Sequence, residues 1–268
     1  LLAPSRGEIV DRFGTTLAGN KQNFEAHIVP ERADNLEKIL KRLATIIDIS
    51  DQDITRILAS AENNERFVPI QIADDLSWDD VARIEVHLPR LPGVSIKAGE
   101  VRHYPHDKAF AHLVGYVGAV NEQELAGNRV LSLPGAKIGK TGVESAYEKQ
   151  LRGHAGRAQV EVNVVGREIR ELDRMKPQEG KTITLSVDAE LQASVQQRLG
   201  RERSAAAVIM DVHSGAVYAL ASYPSFAPGQ FTSGIAPPEW EALLSDPANP
   251  LNNKAVSGLY PPGSTFKM

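Results

Sequence analysis

Ser264 and Lys267 stand three positions apart in the run Tyr260 to Met268, YPPGSTFKM. A serine hydroxyl attacks a carbonyl well only when a base takes its proton, and a neutral lysine can be that base. On a helix the i+3 position returns to the same face, which would bring Lys267 within reach of the Ser264 hydroxyl. Pro261, Pro262 and Gly263 form a turn leading into a helix start. The unpaired N–H groups and dipole of such a start favour negative charge next to the serine. Burial or cationic neighbours would lower the lysine pKa toward its neutral form. S-x-x-K is a short pattern, and its plain structural alternative is an N-cap serine with a surface lysine.

Three other constellations have residue types that could do chemistry. Gly135 to Gly142, GAKIGKTG, is one residue short of a phosphate loop, and no apolar strand leads into it. Its Lys140-Thr141-Gly142 matches the K-T-G element of serine acyl-transferases that carry S-x-x-K. There, however, K-T-G follows the serine on a strand, whereas here it precedes Ser264 and runs into a helix. The favoured reading is a glycine turn entering the helix that carries Glu144 and Tyr147. His103, His106 and His112 have ligand-like spacing, but Asp107 is the only near carboxylate, and a Tyr-Pro step places the first two on an extended loop. Solvated or structural histidines are expected, and no metal site. Arg6, Asp11 and Arg12 could bind an anion; the favoured alternative is a structural ion pair of the surface type, which contributes about 0–1 kcal/mol.

Composition narrows the class. The chain has 268 residues, 42% hydrophobic and 24% charged, which suits about two globular domains. The net charge of −4, without a dense basic run, argues against nucleic acid as a partner. The absence of cysteine removes disulfides, thiolate metal sites and cysteine nucleophiles. No stretch reaches the ~18 consecutive apolar residues of a membrane-crossing helix. Both ends read as interior sequence, which leaves room for an upstream membrane anchor outside this chain.

The elements that must hold these residues follow from pattern. Arg6 to Ala18, RGEIVDRFGTTLA, suggests a short strand, a turn and a second short strand, with another strand at residues 24–29. Residues 34–47 place Leu36, Ile39, Leu40, Leu43, Ile46 and Ile47 on one helical face. Ser50 and Ser77 open two further helices, and Asn121 to Glu124 resembles a capping box. Residues 127–142 read as a loop, 142–153 as one helix, 157–173 as a hairpin turning at Gly166, and 176–181 as a linker. Beyond it come a strand at 182–187, a helix at 188–200, and a hairpin whose strands, 204–212 and 216–222, join at His213-Ser214-Gly215. A short helix is expected near 237–244, inside the long loop that runs to Ser264.

Five segments, in this order, resemble the class B penicillin-binding proteins, and most closely their elongation-type subfamily. They are Arg6 to Ala18; Arg102 to Val120, RHYPHDKAFAHLVGYVGAV; Ile138 to Gly156, IGKTGVESAYEKQLRGHAG; Val160 to Leu172, VEVNVVGREIREL; and Leu244 to Met268. The resemblance implies an α+β protein. Residues 1–178 would be an elongated, dimerisation-type pedestal with anchor and head subdomains, and 179–268 the start of a penicillin-binding transpeptidase domain.

By this likeness Ser264 is the acylated nucleophile, its backbone N–H an oxyanion donor, and Lys267 the base. Arg6, Gly7, Asp11, Arg12, Gly14, Gly142 and Glu144 are structural motif residues of the pedestal. The implied substrate is the D-Ala-D-Ala end of a peptidoglycan stem peptide, with β-lactams as inhibitors and no cofactor. The implied partners are a RodA-type glycosyltransferase and an MreC-type scaffold, at the periplasmic face of the inner membrane. The family's S-x-N element and its K-T-G strand should follow Lys267 and are not in this chain, so the chain alone is expected to be inactive. The alternative is a non-catalytic pedestal that serves as an interaction module of the elongation complex.

Overall fold

The computed structural model describes residues 1–63, 65–125, 130, 131, 133, 135–162, 168–232 and 234–261. Pro262 to Met268, and with them Ser264 and Lys267, lie outside the described residues, as does Gly166. The architecture is α+β, as expected. Among the described residues no helix is long and apolar enough to cross a membrane.

The chain opens with β1 (Ile9–Val10), which turns back through Gly14 (φ +88°) into β2 (Thr16–Ile28). Only one expected feature fails in this stretch: the second short strand and the strand at 24–29 are a single strand of 13 residues. Its centre, Gly19-Asn20-Lys21-Gln22-Asn23, lacks the β-branched and aromatic residues that favour strands. Pairing supplies what propensity does not. After α1 (Leu36–Leu43), α2 (Asp51–Asn63), β3 (Ile70–Leu76) and α3 (Trp78–His87), the chain returns as β4 (Val94–His103), which pairs with β2 from Gly19↔His103 to Ile28↔Val94. Neither β3 nor β4 was legible in the sequence.

The three helices begin where side chains can cap them. Asn35 accepts from the Lys38 amide, Ser50 from Asp53, and Ser77 forms a reciprocal capping box with Asp80. Ile39, Leu40 and Leu43 of α1, Ile54 and Ile57 of α2, and Val81 and Ile84 of α3 then pack on Ala26, Ile28, Ile70 and Ile72 of the sheet. That is one core.

A second core lies beneath it in the chain order. Val114 of α4 (Ala111–Val114), Val143 of α6 (Gly142–Ala146) and Leu151 of α7 (Glu148–Arg152) belong to it, and β5 (Val117–Ala119), α5 (Glu122–Leu125) and β6 (Lys137–Gly139) lie between α4 and α6 in the chain. The expected loop at 127–142 therefore contains a strand, paired Val117↔Gly139. The expected single helix at 142–153 is two short ones, broken at Tyr147 (φ −109°, ψ 20°). The hairpin follows as β7 (Arg157–Val162) and β8 (Glu168–Met175).

Residues 176–181 are not a loose linker. The Gly180 amide donates to the Ser5 carbonyl at 2.9 Å, and the Lys181 amide to the Gln150 carbonyl at 2.9 Å. A Cβ on Gly7 would sit 2.1 Å from the Lys181 carbonyl oxygen, so only glycine permits this approach. The strand expected at 182–187 shrinks to β9 (Ile183–Thr184), parallel to β1. Ile9, Leu17, Val114, Leu151, Val187 and Ala189 close this second core, so it draws on both sides of the expected domain boundary.

The remainder is α8 (Ala189–Leu199), the hairpin β10 (Ala205–Met210) and β11 (Val217–Tyr223), α9 (Gly229–Thr232), α10 (Pro237–Ser245) and α11 (Lys254–Ser257). The Asp211 carboxylate accepts from the His213 and Ser214 amides and closes the expected hairpin turn.

Candidate functional site

Glu144 is the most enclosed charge in the described protein, with no exposed surface. The φ of Gly142 (+58°) starts α6 hard against the end of α4, where a Cβ would meet the Leu113 carbonyl oxygen at 2.6 Å. That start aims Glu144 inward from the first turn of α6. Arg6 donates from Nε to one carboxylate oxygen at 2.7 Å, and Arg102 donates from Nε to the other at 2.7 Å. Arg6 also reaches Glu148 at 2.7 Å, whose same oxygen accepts from the Gly139 amide at 2.9 Å. Asn20 joins the two arginines by donating to the Arg6 carbonyl and accepting from Arg102.

Burial disfavours the Arg6 charge, but Glu144 and Glu148 outweigh it and raise its pKa. Tyr104 lies beside Glu144, its pKa raised chiefly by burial and then by that carboxylate, and its hydroxyl accepts from the Val117 amide at 3.0 Å. The expected surface-type ion pair of Arg6 is thus corrected to a buried network, because its partner comes from α6, 138 residues away. Arg102, Tyr104, Glu148 and Asn20 carry no local signal for this role. Both oxygens of the Glu144 carboxylate are taken up by arginines, which is the geometry of a structural clamp.

Among the described residues Asp11 makes no ion pair. It is 1% exposed, and its Oδ1 accepts from the Phe13 and Thr15 amides at 2.8 Å each. Its Oδ2 accepts from the Ala189 amide, at the start of α8, at 3.0 Å. Burial pushes the carboxyl pKa up, but the amides of Ala189, Thr15 and Phe13 outweigh it and hold it below the ordinary range. Arg12 donates its amide to the Val187 carbonyl, and its guanidinium lies 4.4 Å from the Tyr218 ring centre. Gly14 closes the turn that presents Asp11 and Arg12, its amide donating to the Asp11 carbonyl at 3.1 Å.

Gln192 of α8, 1% exposed, completes the bond between the two parts. Its amide nitrogen donates to the Ala109 carbonyl at 2.8 Å and to the Leu220 carbonyl at 2.9 Å, and its oxygen accepts from the Leu220 amide at 2.7 Å. Sequence reasoning missed it. The available signal was a polar residue on the inward face of α8.

The approach to Ser264 is the third feature. The loop 246–253 delivers the chain to α11, and Lys254 there is buried with its ammonium on the Asn249 carbonyl at 2.8 Å. Burial lowers the Lys254 pKa, with Asp246 opposing. The Ser222 hydroxyl accepts from the Lys254 amide at 3.0 Å. Of the three histidines, His103 ends β4, His106 packs on Phe110, and His112 alone enters this approach, with Nε2 2.8 Å from the Pro250 carbonyl. Lys140 does not reach it either; its ammonium pairs with Glu124 at 2.6 Å, in the expected glycine turn into α6.

Residues 1–185 match the family described as Penicillin-binding Protein dimerisation domain, and residues 205–268 the Penicillin binding protein transpeptidase domain. The chain is 39% identical over 99% of its length to peptidoglycan D,D-transpeptidase MrdA of Escherichia coli K12, and covers 43% of that protein. It is 35% identical to MrdA of Acinetobacter baumannii, covering 40% of it, and 33% identical to penicillin-binding protein 3 of Bacillus subtilis, covering 39%. The chain therefore spans less than half the length of these relatives. A solved complex between penicillin-binding protein PBP2 and MreC from Helicobacter pylori matches 98% of the chain and 49% of its counterpart at a TM-score of 0.80, with 27% identity.

Proposed function

Because the chain belongs to the class B penicillin-binding proteins, we propose that it forms the pedestal and the first part of the catalytic domain of a peptidoglycan D,D-transpeptidase of cell elongation. The observation that carries this reading is the transpeptidase match over residues 205–268, the stretch that holds Ser264 and Lys267.

The proposed chemistry begins with neutral Lys267 taking the Ser264 proton as the serine oxygen attacks the carbonyl of the terminal D-Ala-D-Ala bond. The Ser264 amide stabilises the resulting oxyanion. The C–N bond breaks, the proton passes to the leaving D-Ala amine, and an acyl-enzyme remains. An amine of a second stem peptide then attacks that ester, Ser264 recovers its proton, and a cross-link is formed. A β-lactam opens on the same serine and stays there. The remaining oxyanion donor and proton relay would come from the S-x-N and K-T-G elements of the intact protein.

The pedestal boundary near residue 178 is part of this proposal, as are an N-terminal membrane anchor, a periplasmic position and a RodA-type glycosyltransferase partner. The solved PBP2–MreC complex favours a second role that is compatible with the first: the pedestal docks an MreC-type scaffold. The test is the intact mass of the protein made from its complete reading frame, before and after benzylpenicillin. One added penicillin, mapped to Ser264, is expected. No adduct would overturn the enzyme and leave the interaction module.

A further inference from the structure

A cleft of about 780 Å³ draws its lining from two helix ends. The end of α1 supplies Arg42, Thr45 and Ile46, and the end of α3 with the turn after it supplies Arg83, His87 and Arg90. Three of these six residues are arginines, a fourth is a histidine, and none is acidic. The cations come together only because α1 and α3 pack side by side on the first core, so no window of sequence displays the group.

Cations are ordinary at helix C-termini, where unpaired carbonyls carry partial negative charge. Here that role uses little of the charge present. The Arg42 carbonyl already accepts from the Thr45 amide at 3.1 Å and the Thr45 hydroxyl at 2.7 Å, and the Leu43 carbonyl from the Ile46 amide at 2.9 Å. Arg42 donates from Nη1 to the Arg90 carbonyl at 2.9 Å. His87 Nδ1 lies 2.8 Å from the Arg83 carbonyl; a carbonyl only accepts, so Nδ1 carries the proton and donates. These two bonds fix the Arg42 and His87 side chains at the cleft. Among the described residues, the Arg83 and Arg90 guanidinium groups make no hydrogen bond, and none of the four cations makes an ion pair.

Each guanidinium has five N–H donors and a charge that no ordinary pH removes. Three of them around one concave surface repel one another and raise the local positive potential, in a chain whose net charge is −4. Lys41, one residue before Arg42, is balanced by Glu37 at 2.7 Å on the outer side of α1. The cleft has no such acid of its own, so its counter-charge must come from solution. A carboxylate matches one guanidinium through two oxygens. Three guanidinium groups match an anion with more oxygens and more than one charge, and phosphate esters and pyrophosphate are of that kind. Ile46 is the one apolar residue of the lining, so the cleft offers no seat for an acyl chain.

We propose that the cleft between the ends of α1 and α3 binds a phosphate-bearing anion of at least two negative charges, held by Arg42, Arg83 and Arg90. The inference goes beyond acyl transfer and does not depend on it. A free polyphosphate and the headgroup of a phospholipid monoester share this chemistry, and the test separates them.

Calorimetric titration of the protein from its complete reading frame, at low ionic strength, uses inorganic pyrophosphate as the free anion and glycerol 3-phosphate as the headgroup. Saturable binding of either supports the proposal, and the tighter of the two identifies the source. Arg83→Ala and Arg90→Ala should each weaken binding about tenfold, the order expected when a charge-assisted partner is lost. Arg83→Lys keeps the charge without the fork and should fall between Arg83→Ala and wild type. Arg83 and Arg90 are exposed, so the urea midpoint should not move and loss of binding is not loss of fold. Arg201→Ala removes an exposed arginine outside the cleft and should bind as wild type does. If neither anion binds wild type at millimolar concentration, the proposal is overturned. It is overturned equally by binding that survives both alanine variants, by the same loss in Arg201→Ala, or by acetate binding as tightly as pyrophosphate.

Discussion

The Asp11 carboxylate accepts the Ala189 amide at 3.0 Å, across 178 residues of sequence. Asp188 is already the N-cap of α8, accepting from the Leu191 amide, so Asp11 satisfies a second of the N–H groups that every helix start leaves unpaired. The turn at Asp11 thus finishes a helix that starts 178 residues further along the chain.

Asp11→Ala should destabilise the protein by about 2–3 kcal/mol, the range for losing charge-assisted hydrogen bonds whose buried donors stay behind. Amide exchange should quicken at Ala189 before other positions of α8. The pH dependence has a definite sign. The folded pKa of Asp11 is depressed, so its contribution is full above the ordinary carboxylate value near 4 and lost as pH falls through the folded value. Urea midpoints measured from pH 6 downward should fall less steeply in Asp11→Asn than in wild type.

Glu144 answers to two arginines, and no neutral side chain can. Glu144→Gln should cost about 3–5 kcal/mol, because it strands the Arg6 and Arg102 guanidinium groups without their counter-charge in a buried site. Arg6→Lys should also destabilise, since a single ammonium cannot span Glu144 and Glu148 as the forked guanidinium does. Glu37→Gln, which breaks the exposed pair with Lys41, is the control and should not move the denaturation midpoint measurably.

What the sequence disclosed was local. The Ser77–Asp80 capping box and the Asn121–Glu124 pair were legible because partner and helix start lie within one turn. The His213-Ser214-Gly215 turn was legible because its residue types are the ones that the backbone conformation demands. β2 was legible only at its two ends, because Gly19 to Asn23 become a strand only through β4, which arrives some 75 residues later. The Arg6–Glu144 knot and the Asp11–Ala189 cap were not, because each links residues that no sequence window contains together. Ser264 and Lys267 are the reverse case. Their spacing spoke early, and their geometry lies outside the described residues.

For that pair the prediction is chemical. In the protein from the complete reading frame, Ser264→Ala should abolish covalent penicillin labelling while leaving the unfolding transition unchanged; labelling that persists would remove Ser264 as nucleophile. Lys267→Ala should slow acylation by about 10²–10⁴-fold, the usual contribution of a positioned base. A near-normal rate would assign the base elsewhere.

Two glycines with positive φ separate backbone strain from contact. Gly14 (φ +88°) has nothing within 4 Å of where a Cβ would stand. Gly14→Ala should therefore carry only the left-handed penalty, about 1–2 kcal/mol. Gly142 (φ +58°) carries the same strain, but its Cβ would also meet the Leu113 carbonyl oxygen at 2.6 Å and the Gly115 amide nitrogen at 2.7 Å. Backbone cannot rotate away as a side chain can, so α4 and α6 must part. Gly142→Ala should lose clearly more stability than Gly14→Ala by chemical denaturation.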